Sequence, residues 1–299
     1  MPIPLQKLPY LALKEVLSTM KLKEIFKIAS LSKENARRVK PCISSQRFLL
    51  TIFSSDGWKI ESECSRNFEY WSEDCSKNGI FLDKTGHEVL EFIVEVFNKP
   101  NICLLIKNDM EKFHNYSRFF GTLGLKIGQV TFYRCKQGEL QNMLEAFKGV
   151  PEIHIYSCIL EKKIQFDNNI NYYFESIEIR ISVNSDLKWR KDLLFSLIDC
   201  KKVNINGITH RSGGKLLPTK DLKAFLERWI EGSKMEQFST TAFDLSKFST
   251  VFKPLGQVIP EGGVQKRKCF LIQQKNNGRK AIVYKDEDEV ELKTNFELI

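Results

Sequence analysis

Histidine is scarce in this 299-residue chain: four occur, at 87, 114, 154 and 210, and none is spaced from a cysteine or carboxylate like a metal ligand. Eight cysteines (42, 64, 75, 103, 135, 158, 200 and 269) contain no CxxC pair, which excludes zinc-ribbon and thioredoxin-like readings. They are expected to be small buried hydrophobes in a reducing compartment. No charge-free apolar run approaches the ~18 residues of a membrane span, and Lys7, Lys14 and Glu15 interrupt the apolar core a signal peptide needs. An intracellular protein, cytoplasmic or nuclear and with no membrane partner, is expected. Nucleophile elbows, dinucleotide glycine fingerprints and catalytic cysteine boxes are all missing. Ser212-Gly213-Gly214-Lys215-Leu216 lacks the first glycine of a phosphate loop, which would fall at Thr209, and the hydroxyl residue after its lysine, so it reads as a turn. The chain is therefore expected not to be an enzyme and to need no cofactor and no metal.

What is present begins at the N-terminus. Leu13, Val16, Leu17 and Met20 fall at i, i+3, i+4, i+7, and Leu22, Ile25, Phe26 and Ala29 repeat that spacing. Two in-phase stripes so close together predict a tight helical hairpin. Leu5, Leu8, Tyr10, Leu11 and Leu31 add apolar surface. About forty residues sit near the lower limit for independent folding, and the surplus apolar surface predicts a protein partner. Residues 1–40 also carry nine Lys/Arg against three Glu, a charge that steers an acidic partner.

The segment "PLQKLPYLALKEVLSTMKLKEIFKIASLSKENARRVK" resembles an F-box, the helical module that binds the Skp-type adaptor of SCF ubiquitin ligases. Leu8-Pro9, Val16-Leu17, Met20, Ile25, Phe26 and Leu31-Ser32 carry the resemblance, together with the basic run to Val39-Lys40. It departs in one place: Leu31-Ser32-Lys33 stands for Val-Ser-Lys, and Glu34-Asn35-Ala36 replaces the Trp or large apolar residue that follows. The resemblance implies that Leu8, Pro9, Val16, Leu17, Met20, Ile25, Phe26 and Leu31 bind the adaptor and, through it, a cullin. Pro41 is expected to end the unit.

The middle of the chain repeats one pattern. "QVTFYRC" (129–135), "EIHIYSC" (152–158), "SIEIRIS" (176–182) and "KVNINGI" (202–208) are short alternating strands, stepping by 23, 24 and 26 residues between Val130, Ile153, Ile177 and Val203. "NICLLIK" (101–107) and "EQFSTTAF" (236–243) extend the series. Helical stripes intervene at Leu140, Met143, Leu144 and Phe147 and at Leu222, Phe225, Leu226, Trp229 and Ile230, the latter with Thr219 as N-cap. One strand and one helix per mid-twenties period is the leucine-rich-repeat signature; an ordinary α/β domain with a parallel sheet is the competing reading. Residues 159–175 carry no helical stripe and are expected to cross as a loop, with Cys135 and Cys158 as packing residues.

"LPTKDLKAFLERWIEGSKMEQFS" (217–239) resembles the F-box-associated domain of a large nematode family, whose hallmark is Thr-x-x-Asp-Leu-x-x-Phe-Leu-x-x-Trp-x-x-Gly. Asp221-Leu222, Phe225-Leu226, Trp229 and Gly232 hold their places, while Thr219-Lys220-Asp221 shortens the first spacing. "FLLTIF" and "WKIES" within 48–71 read as strands, and 268–293 reads as a hairpin about Asn276-Asn277-Gly278. The expected fold class is α/β. A small helical F-box (1–43) and connecting short strands (44–85) lead into an irregular leucine-rich-repeat-like solenoid (86–250), with a capping C-terminal β-hairpin and acidic tail (251–299).

Alternation turns Val130/Phe132, Ile153/Ile155, Ile177/Ile179 and Val203/Ile205 inward. Thr131, Tyr133, His154, Tyr156, Glu178, Arg180, Asn204 and Asn206 then face solvent in adjacent rows, a set suited to binding a protein substrate. The resemblance implies the substrate-recognition subunit of an SCF-type E3 ubiquitin ligase. A protein-interaction scaffold that recruits no ligase is the alternative. The net charge of +9 raises RNA binding as a third reading, but the positive charge is split between residues 1–40 and 253–280 and forms no single stripe.

Overall fold

The computed structural model describes residues 7–53, 57–62, 68–72, 86–107, 109–134, 139–158, 170–182, 188–208, 218–241, 248–259, 269–286 and 289–296. The chain divides into two compact units, residues 1–129 and 130–299.

The first unit opens with three short helices, α1 (Tyr10–Thr19), α2 (Leu22–Ser30) and α3 (Lys33–Ile43). Their ends are set locally. The Glu24 carboxylate accepts the Lys21 N–H at 3.0 Å, and Ser32 Oγ accepts the Asn35 N–H at 3.1 Å, each quieting a donor the helix leaves unpaired. Pro41 does not end the unit, because α3 runs through it to Ile43. A proline in the last turn forfeits one helical bond without requiring the chain to turn away. Strands β1 (Phe48–Phe53), β2 (Gly57–Ser62) and β3 (Phe68–Ser72) follow, then α4 (Gly86–Val96), β4 (Asn101–Lys107) and α5 (Met110–Thr122). The strand order is β4-β1-β2-β3, with β1 parallel to β4 and antiparallel to β2.

The N-terminal helices share their core with the rest of this unit. Phe26 of α2 packs against Trp58 of β2, Phe92 of α4 and Phe97, with ring centroids 6.0, 5.6 and 6.2 Å away. Phe48 of β1 meets Phe97 at 4.9 Å. Much of the apolar surplus expected to await a partner is thus covered by the same chain, which is how forty residues too few for their own core become stable.

The division at 129/130 falls inside β5 (Ile127–Tyr133). In the second unit come α6 (Leu140–Ala146), β6 (Glu152–Cys158), β7 (Ser176–Ser182), α7 (Lys188–Ser196), β8 (Lys202–Ile208), α8 (Thr219–Glu231) and β9 (Gln237–Thr241). Next are α9 (Phe248–Phe252), β10 (Gln257–Ile259), β11 (Cys269–Gln273), β12 (Lys280–Asp286) and β13 (Glu289–Lys293). Strands β6, β7, β8 and β9 are parallel neighbours, with Ile153, Ile177, Val203 and Phe238 in register. Their inward residues are buried, as are Leu140, Met143, Leu144 and Phe147 and, on α8, Leu222, Phe225, Leu226 and Trp229; Ile230 is half-buried. Trp229 is wholly enclosed and donates its indole N–H to the Met235 carbonyl at 3.2 Å. Pro218, not Thr219, stands at the N-cap of α8, its fixed φ of −60° setting the entry.

Beyond β9 the sheet turns antiparallel in the order β9-β13-β12-β11-β10. The β11–β12 hairpin turns where expected, with Gly278 at φ 71°. The acidic stretch after it is not a tail throughout. Val290 and Leu292 alternate with Glu289, Glu291 and Lys293, and their burial makes β13 a strand inserted between β12 and β9. The molecule is therefore mixed α/β. No helix among the described residues is long and apolar enough to cross a membrane. The Ser212–Leu216 segment, most of the expected 159–175 loop, Cys135 and the side chain of Cys158 lie outside the described residues.

Candidate protein-binding surfaces

In the first unit the expected adaptor residues split into two groups. Leu17, Ile25 and Phe26 are 1–2% exposed, so they are core side chains and not contact residues. A helix that packs against its own chain spends the apolar stripe that periodicity detects. Pro9, Val16 and Leu31 are exposed, and Leu8 and Met20 are half-buried. Leu31 is 76% exposed at the end of α2. Leu11, absent from the expected set, is 74% exposed, and Tyr10 beside it is 51% exposed. Leu11 precedes Leu13 by two positions, which puts it on the far side of the helix from the Leu13/Leu17 stripe. The signal for it was the position of an apolar residue off the stripe. The Tyr10 hydroxyl donates to the Pro41 carbonyl at 3.3 Å, tying the start of α1 to α3.

In the second unit, register brings polar residues into two parallel rows. His154, Glu178, Asn204 and Ser239 occupy one; Arg180 and Asn206 pair in the next, and the β6–β7 register shifts between Ile155 and Cys158. Glu178 is the hub. Its carboxylate lies 3.2 Å from His154 Nδ1 and accepts the Arg180 Nε–H at 2.7 Å. The Tyr156 hydroxyl lies 3.3 Å from the same His154 nitrogen. Arg180 spreads its guanidinium over the Tyr156 ring, 4.5 Å from the centroid, and the Tyr133 ring tilts against Tyr156 at 5.5 Å. Burial, then the Glu178 charge, pushes the Tyr156 phenol above its ordinary value, and the hydrogen bond that Arg180 donates to Glu178 raises Arg180. Asn206 Nδ2 donates to Glu289 at 3.2 Å, and Ser239 Oγ to the same carboxylate at 2.8 Å. The amide oxygens of Asn204 and Asn206 are buried with no hydrogen-bond partner among the described residues.

Seven of the eight expected substrate-face residues are at least partly exposed; Thr131 is not, at 4%. A threonine side chain is too short to stand clear of its surroundings, whereas Tyr133, two residues on along the same face, is 36% exposed.

No family model, curated protein or solved structure matches this chain. The chemistry of the two surfaces is thus read from their own geometry. Among the described residues no group of three or more His, Cys, Asp or Glu side chains is placed to hold a metal ion. Aromatic rings, one oriented guanidinium and amides offer recognition: apolar contact with directional hydrogen bonds.

Proposed function

We propose that this chain is the substrate-recognition subunit of an SCF-type ubiquitin ligase. Its N-terminal helices dock a Skp-type adaptor and through it a cullin, and the polar rows around Arg180 present a target protein. The contribution to rate is proximity, without bond chemistry of its own. The observation that carries the reading is the pair of leucines, Leu11 and Leu31, left about three-quarters exposed on a basic helical hairpin with an F-box-like sequence. The in-register steps from Ile153 to Ile177 to Val203 support the finer fold reading, stacked leucine-rich-repeat-like units.

A second reading, a scaffold that recruits no ligase, is favoured by the burial of Leu17, Ile25 and Phe26 in the chain's own core. One pull-down decides between them. Purified full-length chain should retain a recombinant Skp-type adaptor, and Leu11→Asp with Leu31→Asp should abolish retention while leaving the urea unfolding midpoint unchanged. No retention by the parent chain retires the ligase reading in favour of the scaffold.

A further inference from the structure

A groove of about 540 Å³ runs within the first unit between α3 and α4. Ala29, Ala36 and Phe92 give its lining an apolar part, with Ser30 and Ser32 beside them. One side is basic, with Lys33 and Arg37 of α3; the other is acidic, with Glu88, Glu91 and Glu95 of α4. Lys33, Arg37, Glu91 and Glu95 are exposed, and none of these four forms an ion pair or hydrogen bond among the described residues. Opposite charges that face across a groove without closing on each other leave both rims free for a third body carrying the complementary signs.

The geometry points to an amphipathic α-helix of another protein as the occupant, its acidic flank against Lys33 and Arg37 and its basic flank against Glu91 and Glu95. Lys33 and Arg37 are four residues apart, as are Glu91 and Glu95, about 6 Å along the helix, which matches the i, i+4 repeat on the flank of an incoming helix. Alanines in the lining permit the close approach that helix-on-helix packing needs. Both walls are helices whose backbone groups are already bonded. An extended segment laid between them would bury unpaired N–H and C=O groups, whereas a helix brings its own satisfied. This occupant is additional to adaptor docking: the residues that define it differ from Leu11 and Leu31, and it stands whether or not the adaptor binds.

The test uses the full chain and three labelled synthetic amphipathic helices of about four turns, sharing one leucine–alanine stripe. The first has Glu on one flank and Lys on the other, the second Glu on both, the third Lys on both. Fluorescence anisotropy at low salt should rank the mixed helix first by about tenfold. Lys33→Glu with Arg37→Glu makes both rims acidic and should move first place to the all-Lys helix. Glu91→Lys with Glu95→Lys makes both rims basic and should move it to the all-Glu helix. The two variants act in opposite directions, so general loss of fold cannot imitate the pattern. Three outcomes overturn the assignment: no helix binds, the ranking is the same in all three proteins, or the variants instead abolish self-association in sedimentation, which would give the groove to a second copy.

Discussion

Phe26 meets Trp58 edge-on, with ring centroids 6.0 Å apart and planes inclined at 62°. That contact ties the second N-terminal helix to the second strand, so the F-box-like segment and the residues after it are expected to melt together. Phe26→Ala leaves a cavity between Trp58, Phe92 and Phe97 and should cost roughly 3–5 kcal/mol. The measurement is urea unfolding followed by tryptophan fluorescence and by far-ultraviolet circular dichroism. A loss confined to the helical signal, with the tryptophan transition unmoved, would show the N-terminal helices to be an independent module.

The same burial separates two kinds of leucine. Leu17 is core and Leu31 is surface, although both sit in the F-box-like pattern. Leu17→Asp should lose adaptor retention by unfolding, because a charge buried without a partner costs several kcal/mol. Leu31→Asp should lose it with the stability changed by less than about 0.5 kcal/mol. Equal destabilisation by the two substitutions would remove Leu31 from the docking surface.

Much of this arrangement was legible in the sequence. Alternation in "EIHIYSC", "SIEIRIS" and "KVNINGI" marked three strands at the positions observed, and it identified the inward Ile and Val residues, because period two is a backbone property that packing does not override. The hairpin about Gly278 was legible because its turn needs a positive φ. Burial against distant parts of the chain was not. Nothing local to Ile25 or Phe26 says whether Trp58 or another protein covers them, since a stripe records that a face is apolar and not what meets it. Thr131 differs for a similar reason: alternation assigns a face, while exposure depends on how far the side chain reaches and on what packs around it. Strand β13 was hidden by composition, five of its seven nearest residues from 287 to 293 being charged.

The network around Glu178 predicts opposite shifts from its two ends. Burial and the Glu178 charge raise the Tyr156 phenol, and Arg180 lowers it. Arg180→Ala removes the cation that favours phenolate, so Tyr156 should titrate at higher pH than in the parent. Glu178→Gln removes an anion that disfavours phenolate, so it should titrate lower. Ring carbon shifts in tyrosine-labelled protein follow the site directly. Shifts of the same sign in both variants would mean that these charges do not act on Tyr156 as the geometry requires.

Gly232 ends α8 at φ 147°, a conformation that side-chain-bearing residues rarely adopt. A Cβ there would also collide with the Asn276 side-chain amide, whose Cγ lies 2.9 Å from the ideal position. Asn276 can rotate away, but the backbone strain stays. Gly232→Ala should cost roughly 1–3 kcal/mol, and Gly232→Ala with Asn276→Ala should recover only the part due to collision. Full recovery in the double variant would show that φ was never the constraint.

Cys200 carries a pH dependence whose sign follows from its burial. It is wholly enclosed, donating to the Tyr172 carbonyl at 3.4 Å and accepting from the Phe174 N–H at 3.5 Å, and burial pushes its thiol from 9.0 up to about 12. The folded chain therefore keeps this proton between pH 9 and 12 while the unfolded chain releases it. Stability from this source is complete below pH 9 and falls as pH rises through that window. By pH 10 the loss should reach roughly 1 kcal/mol. Parent and Cys200→Ala are to be compared by urea unfolding at pH 8 and pH 10. The alanine variant is less stable at pH 8 through its lost packing, yet should lose less between the two pH values. Iodoacetamide gives an independent reading, since an enclosed thiol held protonated should alkylate only as fast as the chain opens. Equal pH slopes in the two proteins, with rapid alkylation of Cys200 in native buffer, would place that thiol in contact with solvent and contradict its burial beneath Tyr172 and Phe174.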